Sequence, residues 1–386
     1  MYCCKLLAEL GADVIKVEKP GGDEGRRQAP FIKDTPGAER SLPFLSLNTS
    51  KRSITLNLEA KAGASIFRKL VRTSDVVVES FMPDYLGSLG LGYDSLKSIN
   101  PRVVLTSVTP FGQTGPYRSF RGTDLTAQAM GGLMNRIGYI EDPPCRIGGD
   151  QSHFLSSVQA ATGTLLALYW RDFTGSGQHV DVSMQESVAN VDSYGVPTYY
   201  VRKEVMGRRG LFHALGSAAI WECKDGYVRY YPGGERDVGG WDEMVEWMDS
   251  EGAAGDLKDP KWQDHQARFR EVDHVVEVVT AFFKRHGKSE LAAEGQRRGI
   301  MIYPTNNIAD LLEDPQLAGE GFFVEIDHPE ADSRLTYPGH PYRLSETPWK
   351  LQGRPPLAGE HNSEIFEREL GISGVELKAL RDSGVI

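Results

Sequence analysis

DVVVESF (Asp75 to Phe81) and RVVLTSV (Arg102 to Val108) decide the fold. Both are short, apolar and β-branched, the pattern of strands buried on both faces of a parallel sheet. Upstream, SITLNL (Ser53 to Leu58) reads as another strand and Ala60 to Ser74 as an amphipathic helix. DVIKVEK (Asp13 to Lys19) is a short alternating strand ended by Pro20-Gly21-Gly22. Strands separated by helices of this length predict βαβ units and an α/β fold with a doubly wound, Rossmann-like parallel sheet. The chain opens with a helical pattern, Met1 to Leu10, stopped by Gly11. No strand precedes it, so either the first strand is absent from this sequence or another element takes that sheet position.

From about Gly207 the character changes. IWECKDGYVRYYPG predicts a hairpin turning at Lys224-Asp225-Gly226. Charged amphipathic helices follow around Asp242 to Asp249, Val272 to His286 and Ser289 to Arg298. Loops and short strands resume at Ile308, and a helix pair closes the chain (Ser363 to Leu370, Val375 to Ser383). The expected division is a large sheet domain over 1–205, a smaller α+β domain over 206–310, and a segment over 311–386 returning to the first.

Composition narrows the function classes. The 386 residues are 25% charged and 40% hydrophobic, ordinary for a soluble globular protein. No apolar run reaches the roughly 18 residues of a membrane helix, and MYCCKLLAEL has neither the basic region nor the cleavage site of a secretion signal. The four cysteines lack zinc-ligand spacing. The expectation is a reduced cytoplasmic protein with no metal. A net charge of −10 favours neither nucleic acid nor an anionic membrane as partner.

The candidate chemistry centres on Gly148-Gly149-Asp150, which opens a mostly apolar helix, Gln151 to Trp170. Glycines let a ligand approach the backbone. A carboxylate in the first turn sits at the positive end of the helix dipole, which keeps it ionised and nucleophilic, and nearby N–H groups can stabilise an oxyanion. The same pattern describes a plain N-cap, the commoner employment of an Asp there. The residues alone leave both readings open. His153, one turn into the helix, reads mainly as a packing residue. Arg209 and His213 lie in MGRRGLFHALGS, which reads equally as a loop closing over a carboxylate or as a linker. Glu18 and Glu79, at strand positions, read as structural.

Several stretches in fixed order resemble the family III coenzyme A transferases (CaiB/BaiF type, formyl-CoA transferase-like). They are LGADVIKVEKPGGD (Leu10 to Asp23), NTSKRSITLNL (Asn48 to Leu58), DVVVESFMPDYLGSLGLGYDSL (Asp75 to Leu96), NPRVVLTSVTPFGQTGPY (Asn100 to Tyr117), Gly149-Asp150, TGSGQHVDVS (Thr174 to Ser183), CKDGYV (Cys223 to Val228) and PPLAGEHNSEI (Pro355 to Ile365). The resemblance implies that Asp150 attacks an acyl-CoA thioester and that CoA passes to a small carboxylic acid by way of an aspartyl-acyl anhydride. It implies CoA contacts from Lys19, Leu56, Asn57, Leu58, Ser80, Phe81, Arg121 and Thr123, and substrate contacts from Gly148, Gly149 and Gln151. Coenzyme A enters as substrate, with no permanently bound cofactor. The partner implied is a second copy, in an interlocked, ring-like homodimer.

Three departures from the family pattern stand out. The family's initial strand and its Ala-Gly-Pro turn have no counterpart before Tyr2, Ser88 stands where Arg is common, and Thr123 stands where relatives often carry Tyr. The related α-methylacyl-CoA racemases place a catalytic His at that last position. Thr123 has no acid–base role near pH 7, which disfavours a racemase or isomerase. A non-catalytic CoA-ester-binding protein lacking the first strand is the remaining alternative.

Overall fold

The computed structural model describes residues 1–210, 219–232 and 240–386. The chain divides into two compact units. The large one comprises residues 1–133, 146–197 and 318–386; the small one comprises 134–145 and 198–317. The fold is mixed α/β with parallel sheets in the large unit.

The β-branched stretches form parallel strands. β1 (Ile15–Glu18) pairs with β2 (Arg52–Thr55), and β3 (Val76–Glu79), β4 (Val104–Thr109) and β5 (His179–Ser183) form a second sheet in the order β3-β4-β5. The expected single sheet is thus divided into two hydrogen-bonded pieces. The far edge of β2 is closed by the C-terminal segment. There the Ser53 N–H donates to His361 Nδ1 (3.2 Å) and the Thr55 N–H to Asn362 Oδ1 (2.9 Å), while Ser53 O accepts from the His361 N–H (2.9 Å). Groups from the C-terminal segment thus satisfy the backbone along that edge of β2 in place of a further strand.

The same segment supplies core. Ile365, Phe366, Ile372, Leu377 and Val385 pack with Ile54, Leu70 and Leu105, joining the outer helices to both sheets. The opening helix Tyr2–Glu9 is packed as well. Cys3 and Leu7 meet Ala160, Ala161 and Val182, and the Tyr2 ring lies edge-on to Phe154 at 4.8 Å. Helix Lys61–Val71 follows β2 so closely that a Cβ on Gly63 would lie 1.9 Å from Asn57 O. Gly63→Ala is therefore expected to destabilise the protein by about 1–3 kcal/mol, the usual range for overpacking, with urea unfolding as the measure.

β1 ends in a buried ion pair. Glu18 receives Nε and Nη2 of Arg26 (2.8 and 2.7 Å), Ser53 Oγ (2.6 Å) and the Asp23 N–H (2.8 Å). Arg26 also donates to Glu39 (2.5 Å) and to Pro356 O (2.9 Å), and lies 4.0 Å over the Phe44 ring. Both charged groups are held by several partners, so Glu18 is structural.

In the small unit, β6 (Ile220–Cys223), β7 (Gly226–Tyr230) and β8 (Ile302–Pro304) form an antiparallel sheet, with the predicted hairpin between the first two. Trp221, Trp241, Trp262, Phe282 and Phe283 fill its core. A further hairpin, β9 (Phe323–His328) and β10 (Ser333–Pro338), belongs to the large unit. No helix among the described residues is long and apolar enough to cross a membrane.

Candidate active site

The predicted ligand contacts lie at the carboxyl ends of the parallel strands, where open α/β sheets hold ligands. Lys19 follows β1, is exposed, and meets the exposed carboxylate of Glu24 at 2.7 Å. Such a solvated pair is easily exchanged for another anion. At the β2 exit Leu56 is buried in the core, so only its backbone can meet a ligand, whereas Asn57 and Leu58 are half-buried. Asn57 Oδ1 accepts the Glu59 N–H (3.0 Å), curling the chain after the strand.

β3 exits in the same manner. Glu79 accepts the Phe81 N–H (2.7 Å), which turns Ser80 and Phe81 outward, and Phe81 is 43% exposed with its ring 4.8 Å from Tyr85. Burial lifts the Glu79 carboxyl above its ordinary range, outweighing its hydrogen bonds to Ser107 and Phe81. Tyr85 Oη donates to Glu59 Oε1 (3.0 Å), tying the β3 exit to the β2 exit. Ser88, the residue found where Arg is common, donates its hydroxyl to Tyr85 O (2.7 Å) and presents no charge.

A second group forms around Asp150. Gly149 has φ +77, a left-handed conformation that favours glycine. The turn delivers Asp150 to the N-cap position of the 24-residue helix Gln151–Thr174. Its carboxylate is exposed and makes no capping hydrogen bond. Gln151 Nε2 folds back to donate to Gly148 O (3.0 Å). Capping is performed instead by Asp124, on helix Asp124–Met130: its Oδ1 accepts the Ser152 N–H (2.8 Å) and the Ser152 hydroxyl (2.7 Å). An accessible carboxylate at the positive end of a long helix dipole is thus left free for chemistry.

Sequence reasoning passed over Asp124. The available signal was its i, i+4 partner Gln128, which with Ala127 makes a buried stripe on a short helix. Thr123, beside it, is exposed and accepts the Thr126 N–H (3.4 Å), capping that same helix. Arg121 is exposed and enters no ion pair among the described residues. The Asp124 cap brings the Arg121–Thr123 segment to the Asp150 turn. No hydrogen bond among the described residues joins this group to the strand exits. His153 is exposed instead of packed, as is Arg209; His213 lies outside the described residues. Among the described residues no cluster of His, Cys, Asp or Glu could hold a metal.

A family model for CoA-transferase family III matches residues 1–362. The chain belongs to that family. This CoA-transferase is 36% identical to the succinyl-CoA:(R)-benzylsuccinate CoA-transferase subunit BbsE of Thauera aromatica, over 100% of this chain and 94% of that protein. It is 34% identical to a formyl-CoA:oxalate CoA-transferase of Streptomyces coelicolor, over 99% and 94% of the two chains. Its fold resembles the crystal structure of a CaiB/BaiF family protein from Brucella suis, with a TM-score of 0.86 and 30% identity, covering 95% of this CoA-transferase and 94% of the other chain.

Proposed function

We propose that this CoA-transferase moves coenzyme A from an acyl-CoA to a small carboxylic acid through an anhydride on Asp150. The observation that carries the reading is the exposed, uncapped carboxylate at the N-cap position, with Asp124 doing the capping. The Asp150 carboxylate attacks the thioester carbonyl, the C–S bond breaks, and CoA leaves as thiolate with the bonding pair. The thiolate then attacks the aspartyl carbonyl of the mixed anhydride, freeing the donor acid and leaving an aspartyl thioester. The acceptor carboxylate displaces the thiolate to form a second anhydride. Attack of the thiolate on the acceptor's carbonyl yields the new acyl-CoA and restores Asp150. The nucleophiles and leaving groups all come from the two substrates and one side chain, so coenzyme A is substrate and no further cofactor takes part.

Arg121 is assigned to the CoA phosphates and Lys19 to the side of the adenine. Leu56, Asn57, Leu58, Ser80 and Phe81 form the slot for adenine and its linker, with Thr123 beside them. Gly148, Gly149 and Gln151 surround the acyl group. The assembly proposed is the interlocked homodimer of the large sheet domain, small domain and returning C-terminal segment. Support comes from the helix Gln151–Thr174, whose outer face leaves Leu165, Leu166, Tyr169, Trp170 and Phe173 exposed, more apolar surface than a monomer usually shows water. Four free thiols suit a reducing cytoplasm.

The test is a donor and acceptor screen by mass spectrometry, begun with succinyl-CoA and formyl-CoA against small dicarboxylic acids, with hydroxylamine as trap. A hydroxamate on Asp150 is expected whenever a productive donor is present. CoA exchange without modification of Asp150 would place the nucleophile elsewhere.

A further inference from the structure

The Gly148-Gly149-Asp150 turn is gripped from both sides by one short helix. After the turn, Asp124 Oδ1 accepts from Ser152, as described. Asp124 Oδ2 accepts Gln128 Nε2 (2.8 Å), and before the turn Gln128 Oε1 accepts the Ile147 N–H (3.0 Å). Asp124 is 6% exposed, and Gln128 and Ser152 are 0% exposed. The chain of bonds runs Ile147, Gln128, Asp124, Ser152, and it spans the turn without touching the Asp150 carboxylate.

A helix start leaves its first N–H groups without intrahelical partners, and an N-cap carboxylate ordinarily folds over to take one. An Asp150 so engaged would aim at its own helix, with one oxygen occupied. We infer that Asp124 and Gln128 are positioning residues that hold Asp150 off its own helix and fix the turn presenting it. The inference rests on the reading of Asp150 as nucleophile. The donor–acceptor order of the network is directional. Asp124 offers only acceptors, Gln128 donates to it with Nε2, and Gln128 keeps Oε1 for Ile147. D124N sets an amide N–H₂ against the N–H₂ of Gln128. Q128E sets a carboxylate against a carboxylate. The pair D124N/Q128E reverses one bond and satisfies every group again. The amide introduced at position 124 keeps its oxygen for Ser152 and donates its N–H₂ to the carboxylate introduced at position 128, which still accepts from Ile147.

The experiment measures kcat and KM for the two single variants and the double, with thermal unfolding and calorimetric CoA binding on each. Each single variant is expected to lose about 10²-fold in kcat, the cost of a misplacement near 1 Å, with KM for acyl-CoA within about twofold. The double variant is expected to recover at least about tenfold of that loss, a coupling that independent sites do not show. If a single variant fails to fold, Gln128→Ala, which removes the Ile147 bond and the Nε2 donor to Asp124 but leaves the Ser152 bonds of Asp124, gives the same kcat-against-KM reading. A folded single variant with full kcat, a loss confined to KM, or a folded double variant with no recovery would overturn the inference. Asp150→Ala separates the two ideas: if it is inactive while the single variants keep full kcat, the nucleophile stands and the clamp falls; if it is active, the nucleophile itself is elsewhere.

Discussion

Asp150→Ala is expected to lower CoA exchange by roughly 10³-fold or more, the scale seen when a covalent nucleophile is removed. The anhydride cannot form, and what remains is direct attack by the acceptor on a bound thioester, which lacks the covalent step. Asp150→Asn tests the same point with little change of volume, since an amide oxygen at the same position is a poor nucleophile. Neither change is expected to alter stability much, because the carboxylate makes no capping hydrogen bond and stands in solvent. Steady-state exchange, compared with unfolding curves of the same samples, reads both halves of the expectation. Exchange within about tenfold of the wild type by a folded Ala variant would remove Asp150 from the chemistry.

Arg26→Ala carries the largest expected effect on stability. It leaves Glu18 buried without its ion-pair partner, and breaking a buried pair from one side typically costs about 3–5 kcal/mol. Burial on its own would raise the Glu18 carboxyl, but the Arg26 and Ser53 hydrogen bonds prevail and hold it below the usual carboxylate range. Glu18 therefore adds stability above its unfolded value of about 4.3, and this contribution is lost as the pH falls through the lower folded value. In Arg26→Ala the Ser53 hydroxyl, the Asp23 N–H and the Lys16 charge remain, but burial is opposed less, so the carboxyl rises and the stability it adds above that unfolded value shrinks. Denaturant unfolding of both proteins from about pH 8 down to about pH 2.5, through the window below the unfolded value, displays the two pH dependences. A variant within about 1 kcal/mol of wild type across that range, well short of the usual cost, would mean that water reaches Glu18.

The parallel strands were legible because their signal is local. DVVVESF and RVVLTSV carry unbroken apolar runs that few other structures accommodate, and they form β3 and β4 as expected. The closure of the β2 edge was not legible, since the groups closing it are His361 and Asn362, some three hundred residues away in sequence and polar in a Gly/Pro-flanked stretch. Arg26 escaped notice for a related reason. A lone arginine in a loop is normally solvated, and only the folded chain shows Glu18, Glu39, Pro356 and Phe44 converging on it. At the site, Asp150 was visible from the two glycines and the apolar helix behind it. Whether it capped that helix depended on Asp124, which lies far upstream in the chain and which local pattern does not connect to it. Helix Gly195–Arg202 was missed because Gly195 and Pro197 break the periodicity that announces a helix.

The edge of β2 closed by His361 and Asn362 also sets an order of events at the ribosome. β1 to β5 are translated well before the residues that seal that edge and complete the core beside Ile365 and Val385. The nascent large unit must therefore wait, with a bare strand edge, while all of 198–317 is made. During that interval pairing with another chain competes with correct closure. Slow translation through the small unit should thus lengthen the vulnerable period, and holdase chaperones should matter most for chains stalled between Ser183 and His361.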